Sequence, residues 1–316
     1  MLMSVPSFKE ELREAIQDLL WRQWSQLGVS GYADEEASAF VLDPEALLLF
    51  SSRWCRKEDR LYDAIVQWLS VRGGLINVSR LKALQKQSAW KTPSLLGTMA
   101  AEPALQDDKR WRRIAEEWRN EADEEMPEPS LLAAEGKVPF STRKISRRLP
   151  QQTATALLRL RAQVGVSARA EVLLLLMLAP YCPATELSAR SGYSRSALHE
   201  LLKEMVQGEV IEQETETPRG HCLLLRESAL WRALLHLPET TEFPHWQHLY
   251  DALGLLWETL ANPRLAALSE QTQKAEWTRV YKNTVRRHLM LSRLPALLSD
   301  VGTLNPGAFA AVLHTL

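Results

Sequence analysis

Residues 184–225 read ATELSARSGYSRSALHELLKEMVQGEVIEQETETPRGHCLLL, and the order of pieces in this stretch decides the fold. Pro183, just before it, cannot continue a preceding helix, but it suits a helix start, where its missing N–H would have no partner. Glu186 to Arg190 makes a short helix. Ser191-Gly192-Tyr193 is a turn, because glycine reaches backbone conformations that other residues resist. Ser194 is a good N-cap type. The helix it opens places Leu198, Leu201, Leu202 and Met205 at i, i+3, i+4 and i+7, which gives it one buried face. Its other face carries Arg195, Ser196, His199, Glu200 and Lys203. Gly208 is expected to close this helix as a C′ glycine. Val210 to Thr215 alternates like a strand, Glu216 to Gly220 turns, and His221 to Leu225 returns.

Upstream, Val172 to Pro180 is apolar all round, which predicts a helix buried on every side. The sequence of helix, short helix, turn, longer helix and two strands is a common way of placing one helix in the DNA major groove. On these residues, 166–226 resembles the winged helix-turn-helix regulators of the broad MarR/ArsR type, over about a fifth of the chain. The resemblance implies duplex DNA binding, usually as a dimer, with a recognition helix at 194–207 and a wing at 210–226. Under it, Arg195, Ser196 and His199 face base edges, since arginine grips guanine O6 and N7 with two bonds. Ser194 joins them at the helix entrance. Arg190, Tyr193 and Lys203 contact the backbone, and Arg219 at the wing tip reaches the minor groove or a phosphate.

Further upstream, 141–148 reads STRKISRR, so Arg143, Lys144, Arg147 and Arg148 stand among three hydroxyl residues with no acid. Such a patch can neutralise and hydrogen-bond phosphates beside the recognition helix. Residues 137–205 hold 11 Lys and Arg against 4 Asp and Glu, and 99–136 hold 5 against 11. A basic block in a chain whose net charge is only −1 is the trace that local DNA contact leaves.

The rest of the 316 residues reads as helices. Apolar residues at 46% suffice for real cores, and glycine is scarce, so the fold class is mainly α with a small β-hairpin wing. Residues 7–27 are amphipathic. Asp43-Pro44-Glu45 combines a cap residue, a first-turn proline and an acid at the positive end of a helix. Helices follow over 59–72, from a Ser79 cap, and over 107–125, while 88–103 reads as a loop. The expected organisation is a helical domain at 1–125, a linker at 126–140 rich in proline, the winged helix-turn-helix domain at 141–240 and a helical region at 241–316. In the last region Trp246, Leu249, Tyr250, Leu253, Leu256 and Trp257 lie at helical spacing, either for dimerisation or for the chain's own core.

No P-loop, dinucleotide fingerprint, HExxH or GxSxG motif is present, so no enzyme activity and no cofactor are expected. His245, His248 and Asp251 recur every third residue, but no further His or Cys lies nearby in sequence, so no metal is assigned. Cys55, Cys182 and Cys222 form no paired framework, which suits a reduced cytoplasmic protein. No apolar run approaches the ~20 residues a bilayer span needs, so no membrane partner is expected. The alternative function is a winged-helix interaction subunit, or an antitoxin-type partner that autoregulates its operon and uses the N-terminal helical domain to hold another protein.

Overall fold

The structure, a computed structural model, describes residues 5–29, 38–55, 60–89, 93–118, 145, 148–217, 220–294 and 313. It is 72% helix and 6% strand, so the chain is mainly α with a small antiparallel sheet. The helices are α1 (Val5–Gln26), α2 (Pro44–Trp54), α3 (Arg60–Arg72), α4 (Val78–Gln87), α5 (Pro93–Ala100), α6 (Lys109–Trp118), α7 (Ala156–Val164) and α8 (Ala168–Leu178). Then come β1 (Cys182–Pro183), α9 (Ala184–Ser191), α10 (Arg195–Gln207), β2 (Ile211–Thr217) and β3 (Gly220–Leu225). The chain continues through α11 (Ser228–Leu234), α12 (Trp246–Ala261), α13 (Pro263–Ala266), α14 (Glu270–Val280) and α15 (Arg286–Ser292), with a π-helical stretch, Tyr281–Val285, joining the last two. No helix among the described residues is long and apolar enough to cross a membrane.

Helix α2 is central, and every one of its residues is buried. Its start is as local chemistry dictates. Asp43 accepts a hydrogen bond from the Ala46 amide at 3.1 Å, Pro44 stands in the first turn, and Glu45 follows. One cluster of buried side chains extends from Phe8 through α2, α8 and α12 to Leu294. Trp24, Trp54, Trp68, Trp111 and Trp246 are all fully buried within it. An aromatic side chain of this kind buries about 150–250 Å², worth roughly 4–6 kcal/mol at about 25 cal/mol per Å². The aromatic face of α12 is therefore spent on this chain's own core: Trp246, Leu249, Tyr250, Leu253, Leu256 and Trp257 are all buried.

The three strands lie in the order β1-β3-β2, all antiparallel. Cys182 pairs with Leu223 and Ile211 with Leu225. The short β1 ties the loop after α8 to the hairpin, which thereby packs beside α9 and α10. Segment 39–41 joins the C-terminal half directly, since Val41 N donates to Glu242 O at 2.8 Å and Glu242 N to Ala39 O at 3.0 Å.

Several local expectations are corrected. Residues 93–100, read as loop, form α5, because Pro93 occupies a helix start rather than breaking a helix. Asn77, not Ser79, caps α4, accepting from Arg80 N at 3.1 Å. Gly208 ends α10 with φ −81°, and it is Glu209 that turns left-handed, at φ 54°. The expected linker at 126–140 lies outside the described residues.

Candidate nucleic-acid interface

Helix α10 has the local structure its sequence dictates. The Ser194 hydroxyl accepts from Ala197 N at 3.2 Å and caps it. Leu198, Leu202 and Met205 are buried, and Leu201 is half-buried against the same core. Arg195, Ser196, His199, Glu200, Lys203 and Glu204 are exposed on the outer side. Ser196 Oγ lies 3.0 Å from Ser194 Oγ, so the first turn presents two adjacent hydroxyls.

The turn before α10 is clamped from behind by α4. Gly192 takes φ 80°, and a Cβ there would also sit 3.0 Å from Leu84 Cδ2, so only glycine fits. Arg80 Nε donates to Ser191 O at 2.6 Å, and Gln87 Nε2 to Gly192 O at 3.4 Å. Asn77 Nδ2 donates to the Tyr193 hydroxyl at 2.5 Å. Tyr193 is thus engaged inside the protein, and burial raises its phenol above the ordinary value. Arg190 is also turned inward. Its guanidinium is 9% exposed, and Nη2 donates to Phe243 O at 2.8 Å. Both side chains are thus held within the protein in this arrangement. Arg219, Arg143, Lys144 and Arg147 lie outside the described residues. Arg148 is exposed, and its carbonyl accepts from Arg72 Nη2 at 2.9 Å.

Behind the turn lies a buried ionic network that joins α2, α4, α7, α8 and α9. Arg80 donates to Asp43 and to Glu45 Oε2, the latter at 2.8 Å. Arg161 donates to both Glu45 oxygens, at 2.7 and 2.8 Å, to Glu171 and to Leu75 O at 2.8 Å. Glu45 and Glu171 are completely buried, and the two arginines are 1% exposed. Burial opposes the charged forms, yet the facing carboxylates outweigh it, so both guanidiniums are held above their ordinary pKa. Asp43 is likewise held below the usual carboxylate range: burial works against ionisation, and Arg80 overcomes it.

This network explains the fate of the basic block. Among its described residues, Arg161 and Arg190 point inward, and Arg159 Nη2 donates to Leu235 O at 2.8 Å. What remains on the surface is Arg148, Arg169, Arg195 and Lys203. Arg169 pairs with Glu204 at 3.1 Å, and Lys203 with Glu200 at 3.2 Å. Arg226, at the hairpin base, pairs with Glu209 and Glu212. Among the described residues Arg195 makes no ion pair, in contrast to its neighbours on α10. The outer face of α10 is therefore close to neutral, with Arg195 as its unpaired cation.

Comparison with models of known protein families, with curated proteins and with solved structures finds no match. The assignment of function therefore rests on the geometry alone.

Between α10 and the hairpin lies a cleft of about 450 Å³. It is lined by the apolar Leu202, Val206 and Leu223 and by the polar His199, Lys203, Gln213 and His221. The histidines of α12 form a second cluster that sequence spacing foresaw only in part. His245 Nε2 lies 2.9 Å from Ala189 O, which ties α12 to α9. His248 instead faces His288, from α15, with Nδ1 atoms 3.3 Å apart. Asp251 Oδ2 is 3.8 Å from His288 Nδ1. His288 lies 40 residues beyond His248, outside any local spacing pattern.

Proposed function

We propose that this chain is a sequence-specific, double-stranded DNA-binding regulator of the winged helix-turn-helix kind. Helix α10 enters the major groove and the β2–β3 hairpin acts as the wing. The observation that carries this reading is the exposure of α10: its outer residues from Ser194 to Lys203 are open to solvent while its turn is fastened to α4. A rigidly backed helix with a free polar face can be pressed into a groove about 12 Å wide. Arg195 is the base reader, because among the described residues it pairs with no acid, unlike Lys203. Ser196 and His199 lie along the same face. Lys203 touches phosphate after releasing Glu200, and Arg219 serves the wing. A homodimer and a cytoplasmic setting belong to this proposal.

The test is selection from a randomised duplex pool by the purified chain. Enrichment of one motif, lost with Arg195→Ala, supports the reading. Recovery of unenriched sequence from several rounds overturns it.

A second reading is favoured by the balanced charge of α10 and the apolar side chains lining its cleft. Leu202, Val206 and Leu223 suit an apolar side chain of a protein partner better than a phosphate. Under this reading the chain is an interaction subunit, and a partner competes for the same face.

A further inference from the structure

We propose that His248, Asp251 and His288 bind a zinc-class divalent metal ion, with a fourth coordination position open to water. The donors come from two packed helices. His248 and Asp251 are three apart on α12, so they project from the same side, one turn from each other. His288 reaches them from α15, which packs against α12. Ligands supplied by facing helices of a bundle are a recurrent way to build such a site.

The distances suit a small ion. Zinc binds imidazole nitrogen at about 2.0–2.1 Å, so adjacent donors in a tetrahedron stand about 3.3–3.4 Å apart. His248 Nδ1 and His288 Nδ1 are 3.3 Å apart. The ligand atoms of all three residues lie within 4.8 Å of one another, so closing the set moves the carboxylate by about 1 Å. Two imidazoles and one carboxylate, without a thiolate, are borderline donors of the zinc type rather than the oxygen cage of magnesium or calcium.

The carboxylate is held in place from outside. Asp251 Oδ1 accepts from Ser88 Oγ at 2.7 Å and from Gln247 Nε2 at 3.0 Å, and Oδ2 accepts from Ala89 N at 3.2 Å. Such outer hydrogen bonds orient a ligand and tune its affinity. The side chain itself is 3% exposed, whereas that of His288 is 18% exposed, so the open position can be reached from solvent.

A second observation sets the third ligand. The π-helical stretch Tyr281–Val285 adds one residue to its turn and ends three residues before His288. One residue of α-helix is about 100° of rotation, so an uninterrupted helix would turn His288 away from α12. Single π turns inside α-helices are frequent at functional sites.

The experiment uses the full chain, stripped with chelator and dialysed, then titrated with zinc by calorimetry and with cobalt by visible absorption. The expected result is one zinc per chain and tetrahedral cobalt bands. His288→Gln and His248→Gln each lower affinity by more than about 100-fold, while Ser88→Ala lowers it by about 10–100-fold. Zinc should raise the melting temperature of the wild type but not of the histidine variants. Each variant is checked by far-UV circular dichroism in chelator. If one histidine variant does not fold, the other and Ser88→Ala carry the test. Absence of saturable binding, or binding unchanged in the folded histidine variants, overturns the proposal. The second result would assign any zinc to the cysteines or to surface groups.

Discussion

Replacing Arg161 with methionine tests whether the buried network fastens α7 and α8 to the N-terminal helices. In the wild type Glu171 Oε1 accepts from Arg161 Nε and Nη2, and Glu171 Oε2 has no hydrogen-bond partner. Glu45 keeps Arg80 and Asn77 N when Arg161 is removed. Glu171 keeps nothing, at zero exposure. Breaking a buried pair in this way costs about 3–5 kcal/mol, because an uncompensated charge is left behind. Substituting Glu171→Met as well removes that charge. Asp43, Glu45 and Glu171 against Arg80 and Arg161 sum to −1, and Asp43 and Glu45 against Arg80 also sum to −1. The double variant should therefore recover to within about 1–2 kcal/mol of the wild type. Urea unfolding measures both, with the midpoint falling at constant slope in the single variant. Arg169→Ala, which breaks the exposed Arg169–Glu204 pair, is the control and should cost no more than about 1 kcal/mol. If Arg161→Met costs as little as the control, or if the double variant is no better than the single, the network does not fasten these helices.

Other outcomes follow from the same contacts. Asp43 has its folded pKa held down, so its contribution is present above the unfolded value of about 3.9 and is lost as pH falls through the folded one. Asp43→Asn keeps a cap but removes this dependence, so acid titration below pH ~4 should show a slope shallower by up to about 1.4 kcal/mol per pH unit. An unchanged acid limb would refute it. Leu174→Ala, at zero exposure in α8, should cost about 2–5 kcal/mol in the same urea assay, and a loss under 1 would contradict the packing. Lys203→Ala should weaken binding to all duplexes alike and make the salt slope shallower by about one. A change confined to one sequence would instead make Lys203 a base reader.

What the sequence made legible was local. Asp43 and Ser194 cap the helices their types suggested, and Gly192 turns left-handed where the turn was expected, because each effect acts within a few residues. Contacts at long range were not legible. Arg80 meets Asp43 across 37 residues, and Arg161 meets Glu45 across 116. Their signature was an arginine within a leucine-rich helix and Glu171 heading an apolar run, which shows a charge in need of a partner without naming it. The basic block shows the same limit of a local reading. A count of charges does not say which face inward, and Arg159, Arg161 and Arg190 all hold carbonyls or carboxylates inside. His288 was not joined to His248 because 40 residues separate them, beyond any local spacing pattern. Residues 93–100 read as loop because a proline can either interrupt a helix or start one, and Pro93 starts α5.

The central claim is that α10 reads DNA, and fluorescence anisotropy across a salt series tests it most directly. The wild type and Arg195→Ala are compared on the selected duplex and on a scrambled one. The account predicts that Arg195→Ala loses about 1–3 kcal/mol on the selected duplex and little on the scrambled one, with binding that weakens linearly in the logarithm of salt. Equal affinity of both proteins for both duplexes, or no binding at low salt, would contradict it and leave the cleft between α10 and the hairpin as a surface for a protein partner.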